Sequence, residues 1–157
     1  MIYRTLVQPV LIYGSEAWTL TEDEKDKLNV FERKVLRMIF GPICGEEWRT
    51  RYNSELYHMY KDVPIVRKIK TQRLRWLGHV TRMDENDVAK SIFDSKPQGG
   101  NRGRGRPKLR WKDAVSQDLK ELEVKTSNPA LANWREAATN RGEWRNLVHQ
   151  FSNLHGL

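Results

Sequence analysis

Positive charge combined with glycine is chemically the most distinctive feature of this sequence. Residues 101–111 read NRGRGRPKLRW and contain five Lys or Arg side chains, one proline and no acidic residue. Arginine and lysine bind phosphate oxygens, and glycine lets a backbone approach a polyanion closely. The stretch therefore indicates contact with phosphates, as in nucleic acid.

Two other interpretations of this stretch stay open. Residues 104–107, Arg-Gly-Arg-Pro, resemble the core of an AT-hook, in which two arginines lie in the narrow minor groove of A·T-rich DNA. A charged, glycine-rich segment is also typical of a mobile connector that binds nothing. Phosphate contact is the prediction, and groove recognition and a simple connector are its alternatives.

The distribution of charge along the chain favours a polyanionic partner. The 157 residues carry a net charge of +8, yet residues 65–112 alone hold 14 Lys or Arg residues against four acidic ones. The segments on either side are slightly acidic. A field concentrated in this way attracts nucleic acid more often than a membrane surface. We expect RNA, DNA or an RNA:DNA hybrid as the partner, and no membrane.

A basic helix precedes the glycine-rich stretch. Residues 64–83 read PIVRKIKTQRLRWLGHVTRM, and the initial proline suits a first helical turn, where its missing N–H is not needed. On a helix, Arg67, Lys68, Arg75 and Arg82 fall on one side, which would face solvent. Lys70 and Arg73 fall on the flank of that side. Helical spacing predicts the opposite, core-facing stripe to be Ile65, Ile69, Trp76, Val80 and Met83. An ordinary solvated helix face is the alternative interpretation of the cations.

The predicted nucleic-acid-binding residues combine this helix with the stretch that follows it. Their long cationic side chains would hold the phosphates of a duplex without reading its sequence. The set is Arg67, Lys68, Arg75, Arg82, Arg102, Arg104, Arg106, Lys108, Arg110 and Lys112. Trp76 and Trp111 could stack on bases, although their helical spacing favours packing in the core.

The remaining residue patterns predict neither catalysis nor a bound cofactor. The glycines of residues 99–105 lack the Gly-Lys-Ser/Thr of a P-loop, and neither a nucleophile elbow nor a zinc-protease motif occurs. Cys44 is the only cysteine, and the four histidines have no zinc-ligand spacing. Acidic clusters at residues 22–26 and 84–87 match a helix start and a polar turn. We expect no catalytic residue, no metal and no cofactor.

A long helix is predicted after residue 21. Thr21 and Glu24 have the spacing of a capping box, and Gly41 and Pro42 end the helical pattern. Apolar residues at helical spacing predict its buried face to be Leu28, Phe31, Val35 and Ile39.

Helical patterns extend over most of the rest of the chain. Asn140 and Glu143 repeat the capping-box spacing before the last helix, and Pro107 can open the helix that follows the basic stretch. We predict an all-α fold of six to eight helices. A helical bundle in residues 1–94 would be followed by a basic connector in residues 95–106 and a smaller helical tail in residues 107–157.

Four sequence motifs follow one another in a fixed order. They read LVQPVLIYGSEAWTLT, FERKVLRMIFG, RLRWLGHVTRM and GRGRPKLRWKDAV, and WREAATNRGEWRNLV comes after them. Together they resemble the C-terminal part of the reverse transcriptase encoded by non-LTR (LINE-type) retrotransposons. The resemblance covers nearly the whole chain. It implies that residues 1–94 are the end of the polymerase palm and a thumb, and that the remainder is the tail.

The resemblance also implies that the catalytic centre lies elsewhere. In that family the palm carries a Tyr/Phe-Ala-Asp-Asp motif that binds metal ions, and this chain has no Asp-Asp pair. It is too short to include the palm, the fingers and the family's endonuclease. Although the parent family is an RNA-directed DNA polymerase, the resemblance implies a non-catalytic fragment that contacts template-primer phosphates.

Two further hypotheses stay open beside the nucleic-acid-binding fragment. The chain could be a helical protein-interaction or structural module without a nucleic-acid role, with Tyr3, Leu6, Leu11 and Tyr13 as an apolar surface. It could also complete a separate palm and fingers domain and support synthesis in trans. We expect an intracellular, nuclear location, and the sequence predicts no particular oligomeric state.

Overall fold

Helices make up most of the described chain. The computed structural model describes residues 2–45, 48–95 and 109–153. A π-helical turn, Tyr3–Val7, leads into α1, Gln8–Ile12, and 3₁₀ turns lie at Ser15–Ala17 and Pro129–Asn133. The other helices are α2 Glu22–Phe40, α3 Asn53–Tyr60, α4 Ile65–Thr81, α5 Val88–Asp94, α6 Trp111–Thr126, α7 Trp134–Thr139 and α8 Arg141–Asn153.

The predicted all-α fold is confirmed. Over the three described ranges the only β pairing is a single bridge between Ile43 and Arg49. The predicted connector lies outside these ranges except for Ser95, and so does the predicted helix start at Pro107. The division of the chain at the connector stays a prediction.

Local capping interactions set the helix starts as predicted. The Thr21 hydroxyl accepts a hydrogen bond from the Glu24 backbone N–H at 3.4 Å, and the Glu24 carboxylate accepts one from the Thr21 N–H at 2.7 Å. Before α8, the Asn140 side chain accepts from the N–H groups of Gly142 and Glu143. These contacts satisfy backbone donors that a helix start leaves unpaired.

Helix α4 is the centre of the molecule. It packs against α1, α2 and the first 3₁₀ turn near its start, and against α5, α6, α7 and α8 further along. Its buried side chains therefore surround most of its circumference: Ile65, Ile69, Thr71, Arg73, Leu74, Leu77 and Val80. The prediction of one apolar stripe was wrong in two respects, because Trp76 is 38% exposed and Met83 is only half-buried.

Close packing of α8 on α4 depends on a glycine. A Cβ atom at Gly78 would lie 2.3 Å from the indole ring of Trp144, so no larger residue fits there. The same indole donates a hydrogen bond to the Leu74 carbonyl at 2.9 Å. Leu74 and Leu77 then join the main apolar cluster, which includes Val115, Leu119, Leu122, Leu147, Val148 and Phe151.

A buried carboxylate joins four segments at the other end of α4. Glu32 of α2 is fully buried, and its side chain accepts three hydrogen bonds of 3.1 Å. The donors are the hydroxyl of Tyr3, the hydroxyl of Tyr57 in α3, and the backbone N–H of Ile65, the first residue of α4. Because a helix N-terminus favours negative charge, Glu32 also suits the start of α4 electrostatically.

The position of Glu32 corrects the predicted face of α2. The buried residues of this helix are Lys25, Glu32 and Leu36, whereas Phe31 and Ile39 are 40% and 44% exposed. The predicted Leu28 and Val35 are half-buried and pack against apolar clusters, so only part of the predicted face is replaced, and Glu32 points inward beside it. A pattern based on apolar residues alone misses this face, because its central residue is ionisable.

A second buried ionic contact joins α4 to α6. Arg73 and Asp118 are each about 1% exposed. The Arg73 Nε and Nη2 atoms contact Asp118 Oδ2 at 2.7 and 2.6 Å, and Nη1 donates to the Trp18 carbonyl at 2.7 Å. Burial raises the pKa of Asp118, and the adjacent guanidinium acts against this rise. Through its hydrogen bond to the Trp18 carbonyl, the Arg73 guanidinium also holds the segment that precedes α2 against α4.

The hydrogen bonds of Glu32 predict unequal effects of two substitutions. Glu32→Ala leaves three buried donors without an acceptor, and we expect it to lower the free energy of unfolding by about 3–5 kcal/mol. Glu32→Gln keeps the shape and one acceptor oxygen, so the loss should be about 1–2 kcal/mol. Urea unfolding measures both, with Asp26→Asn on the exposed side of α2 as the control, expected within about 0.5 kcal/mol of the wild type. Equal losses for the Ala and Gln variants would contradict this role.

The same carboxylate predicts a pH dependence. Burial raises the pKa of Glu32 above its ordinary value of 4.5, although its hydrogen-bond donors oppose the rise. The folded state therefore binds the proton more tightly than the unfolded state does. The stability of the wild type relative to Glu32→Gln should increase as the pH falls from neutrality towards 4.5. A difference that shrinks over this range would show that the pKa is lowered instead.

The buried Arg73–Asp118 pair predicts a coupled effect. Asp118→Leu leaves a buried guanidinium without its counter-charge and should cost about 3–5 kcal/mol of stability. Adding Arg73→Met removes that charge, so the double variant should be more stable than the Asp118→Leu single variant. Thermal unfolding of both single variants and the double variant measures this coupling. Additive losses would mean that the two side chains do not act as a pair.

Candidate nucleic-acid interface

Those predicted nucleic-acid-binding residues that the structure describes lie on α4 and at the start of α6. Six of them lie in the described part of the chain, namely Arg67, Lys68, Arg75, Arg82, Arg110 and Lys112. The other four, Arg102, Arg104, Arg106 and Lys108, lie outside it. These six side chains have different surroundings. Some of them bind other groups of the protein, and others face solvent.

Two of the predicted cations make contacts within the protein. The Lys68 ammonium donates to Asp62 at 2.7 Å and to the Gln8 side chain at 2.8 Å, and its side chain is only 22% exposed. Arg82 donates to the Ala138 carbonyl at 2.6 Å, which joins the end of α4 to α7. Burial, together with nearby Arg141, lowers the pKa of Arg82. Lys68 and Arg82 therefore have structural partners.

The cations on the flank of α4 are also paired. Besides the contact of Arg73 with Asp118, Lys70 donates to the Glu121 carboxylate, which Lys125 binds from the next turn of α6 at 2.8 Å. Although burial acts to raise it, hydrogen bonds from Lys125 and Lys70 lower the pKa of Glu121 to about 2. Two of the cations of α4, Lys70 and Arg73, are therefore paired with carboxylates of α6.

Arg75 lies on the outward side of α4. Its side chain is exposed, next to Trp76, whose ring lies 5.1 Å from the His79 ring, centroid to centroid. Trp111, by contrast, packs against the main apolar cluster and donates from its indole to the Glu16 carbonyl at 2.7 Å. Core packing is thus found for Trp111, whereas the partly exposed Trp76 ring leaves base stacking open to test.

Cations and aromatic rings meet where α5, α6 and α7 come together. Lys112 lies 4.8 Å from the centre of the Phe93 ring, and Arg135 lies 4.9 Å from that of Trp134 and 5.9 Å from that of Phe93. Arg110 is exposed at the start of α6. We call Phe93, Arg110, Lys112, Trp134 and Arg135 the connector patch. Cations beside aromatic faces are a combination that nucleic-acid-binding surfaces use.

The connector patch brings together the two flanks of the glycine-rich segment. The Lys112 ammonium donates to the Phe93 carbonyl at 2.7 Å. Phe93 precedes residues 96–108 and Lys112 follows them, so the chain leaves and re-enters the described structure at this patch. Acidic side chains lie beside the patch: Asp94 is 3.5 Å from Arg135 in a largely exposed ion pair, and the Asp113 carboxylate accepts a hydrogen bond from the Arg110 N–H at 3.3 Å.

Arg67 belongs to a different surface. It lines a groove of about 940 Å³ between α2, α3 and the start of α4, together with Arg33 and Lys61. Sequence reasoning missed Arg33, Lys61 and Arg135. Arg135 lies beyond the basic segment of residues 65–112, although a cation next to Trp134 in sequence could have indicated a nucleic-acid-binding residue. Arg33 and Lys61 come from segments with no excess of positive charge, and only the fold brings them near Arg67.

Part of the apolar surface predicted near the N-terminus is present. Leu6 and Tyr13 are 63% and 88% exposed, and Ile2 and Val10 extend this surface. Tyr3 was wrongly included, because it is buried against Tyr60 and bonded to Glu32. Leu11 is half-buried.

The described residues show neither a metal-binding group of side chains nor a membrane-spanning helix. Within the described ranges, no three His, Cys, Asp or Glu side chains are grouped so that they could hold a metal ion. None of the described helices has the length and apolar character needed to cross a membrane.

Comparison with known proteins gives one distant relative. The chain is 22% identical over 150 residues to an uncharacterised transposon-derived protein of Caenorhabditis elegans. The match covers 95% of this chain and 53% of the worm protein, so the chain spans about half the length of that relative. No protein-family model and no solved structure matches the chain. The similarity supports a transposon-derived origin.

Proposed function

We propose that this chain is a non-catalytic, nucleic-acid-binding part of a non-LTR retrotransposon reverse transcriptase. The connector patch and the arginines of the adjacent stretch hold the phosphates of a template-primer duplex. Affinity comes from charge and from counterion release rather than from reading bases. The reaction centre of such a polymerase belongs to segments outside this chain.

The observation that carries this proposal is the connector patch. Lys112 and Arg135 lie against aromatic rings at the place where a stretch with four further cations, Arg102 to Lys108, is attached to the fold. In sequence, these four cations directly precede Arg110 and Lys112, so the proposed binding segment is strongly basic throughout. The similarity to a transposon-derived protein is consistent with a role on nucleic acid.

Binding of a fluorescent RNA:DNA hybrid at two salt concentrations tests the proposal. Replacing Arg102, Arg104, Arg106, Lys108 and Arg110 with Gln should lower the affinity at low salt at least tenfold. It should also reduce the slope of log affinity against log salt by about 0.9 for each phosphate that the variant no longer neutralises. We expect Arg135→Gln to weaken binding further.

Lys120→Gln is the control for single charge changes, because Lys120 is exposed on α6 and is not part of the connector patch. Its effect should stay below about twofold, since one distant surface charge is screened by salt. Wild-type affinity in the variant with the five replacements would contradict the proposal, and so would a salt slope near zero in the wild type.

A protein-interaction module is the second candidate function. It is favoured by the exposed apolar side chains of Ile2, Leu6, Val10 and Tyr13, because large apolar patches often mark interaction surfaces. Under this alternative, loss of the connector cations leaves the interaction intact, whereas Leu6→Glu with Val10→Glu abolishes it. Analytical ultracentrifugation measures the self-association of the variant without the connector cations and of the Leu6→Glu, Val10→Glu variant. Loss of self-association in the second variant alone would favour the interaction module.

A further inference from the structure

The groove between α2, α3 and α4 gathers positive charge from three helices. Arg33 comes from α2, Lys61 from the end of α3 and Arg67 from the first turns of α4. His58 lines the same groove. At the groove's edge, Arg37 donates to the Asn53 side chain at 2.7 Å. Several helices thus direct cations towards one concave surface.

The one acidic residue in this lining is already neutralised. Asp62 contacts Lys68 at 2.7 Å and Arg4 at 2.9 Å, and the Val63 N–H donates to it at 2.7 Å. Despite its partial burial, these donors and cations lower the pKa of Asp62, so it stays ionised and paired. Its charge is offset by two cations outside the set Arg33, Lys61 and Arg67. The groove therefore keeps a positive potential that suits an anionic ligand.

A rigid aromatic side chain forms part of the groove. The Tyr57 hydroxyl donates to buried Glu32 at 3.1 Å, and the Arg33 side chain lies near the same hydroxyl. Tyr57 is thus fixed by its hydroxyl and by packing against the apolar cluster that contains Leu36 and Tyr60, and the residue lines the groove. A fixed ring beside exposed His58 offers surfaces on which unpaired bases can stack. The volume of about 940 Å³ lies at the upper end of the range for small-ligand sites, about 300–1,000 Å³.

We propose that this groove binds an unpaired nucleic-acid strand, with Arg33, Lys61 and Arg67 on successive phosphates and Tyr57 and His58 beside the bases. A single strand can enter such a groove and present its bases, whereas the bases of a duplex are stacked and paired. The inference relies on the proposed function for the class of ligand. It does not depend on the same residues, because the groove and the connector patch have none in common.

Two variants of equal net charge test the groove. The groove variant is Arg33→Gln, Lys61→Asn and Arg67→Gln, where Asn suits the left-handed backbone of Lys61 at φ = 51°. The control variant is Lys34→Gln, Lys120→Gln and Arg145→Gln, which removes three exposed cations of α2, α6 and α8 outside the groove. Thermal unfolding checks that both variants remain folded.

Fluorescence anisotropy with a labelled (dT)12 strand and with a labelled hairpin duplex gives the readout. We expect the groove variant to bind (dT)12 at least tenfold more weakly than the wild type, with a salt slope smaller by about 2, from three phosphates at about 0.7 each. Its affinity for the hairpin should change less than about threefold. The control variant should change either affinity less than about threefold, because screened surface charges contribute little.

The outcomes separate this inference from the proposed function. If the groove variant binds (dT)12 like the wild type, the groove is not a strand site, while the connector patch is unaffected by that result. Equal losses for (dT)12 and the hairpin would overturn the preference for an unpaired strand. Displacement of (dT)12 by dTMP at the same phosphate concentration would indicate a mononucleotide site instead. Wild-type protein that binds neither probe would overturn both proposals.

Discussion

The fold depends on the buried carboxylate of Glu32 and on the hydrogen-bond donors that surround it. Glu32 accepts hydrogen bonds from three different segments and lies at the N-terminus of the central helix. Burying an ionisable group is costly unless its hydrogen-bonding capacity is used, so each of these segments stabilises the position of the others through Glu32. Because Arg67 follows Ile65 in the first turns of α4 and Tyr57 is bonded to Glu32 directly, the same carboxylate also fixes the shape of the basic groove.

A consequence of this packing is that the positive charge of α4 has two uses. Lys68, Lys70 and Arg73 face carboxylates of neighbouring segments, and their charges stabilise contacts within the fold. Arg67 and Arg75 have no such described carboxylate partner and face the groove and the outer surface. A large net charge in a segment therefore overstates the charge that is available to a polyanion. The number of phosphates that the protein can hold is set by the cations that the fold leaves at its surface.

Local features of the sequence predicted local structure well. The capping residues Thr21 and Asn140 act within one helical turn, and hence both helix starts were predictable. Burial was harder to predict, because Glu32 and Arg73 are buried polar residues whose partners lie 25 to 55 residues away in sequence. Patterns of apolar residues place such side chains at the surface, and this is why the predicted faces of α2 and α4 were only partly right.

The candidate site shows the same limit. The connector patch was partly predictable, since Arg110 and Lys112 belong to the basic segment of residues 65–112. Its aromatic residue Phe93 was not, because only the packing of α5 beside the start of α6 brings it to Lys112. The groove was not predictable, because Arg33 and Lys61 become neighbours of Arg67 only when α2 and α3 pack beside α4. A basic surface assembled from separate segments leaves no periodic or compositional signal in any one of them.

Lysine acylation tests directly which cations are paired within the fold and which are available to nucleic acid. The extent of acylation is measured by mass spectrometry, with and without a nucleic acid that carries both a duplex and an unpaired strand. Lys61 and Lys112 should react readily in the free protein and become protected when nucleic acid is bound. Lys68 and Lys70 should react slowly in both states, since their ammonium groups are bonded to carboxylates, and exposed Lys34 and Lys120 should react fast in both. Ready modification of Lys68 and Lys70, or equal protection of Lys34 and Lys120, would contradict the account.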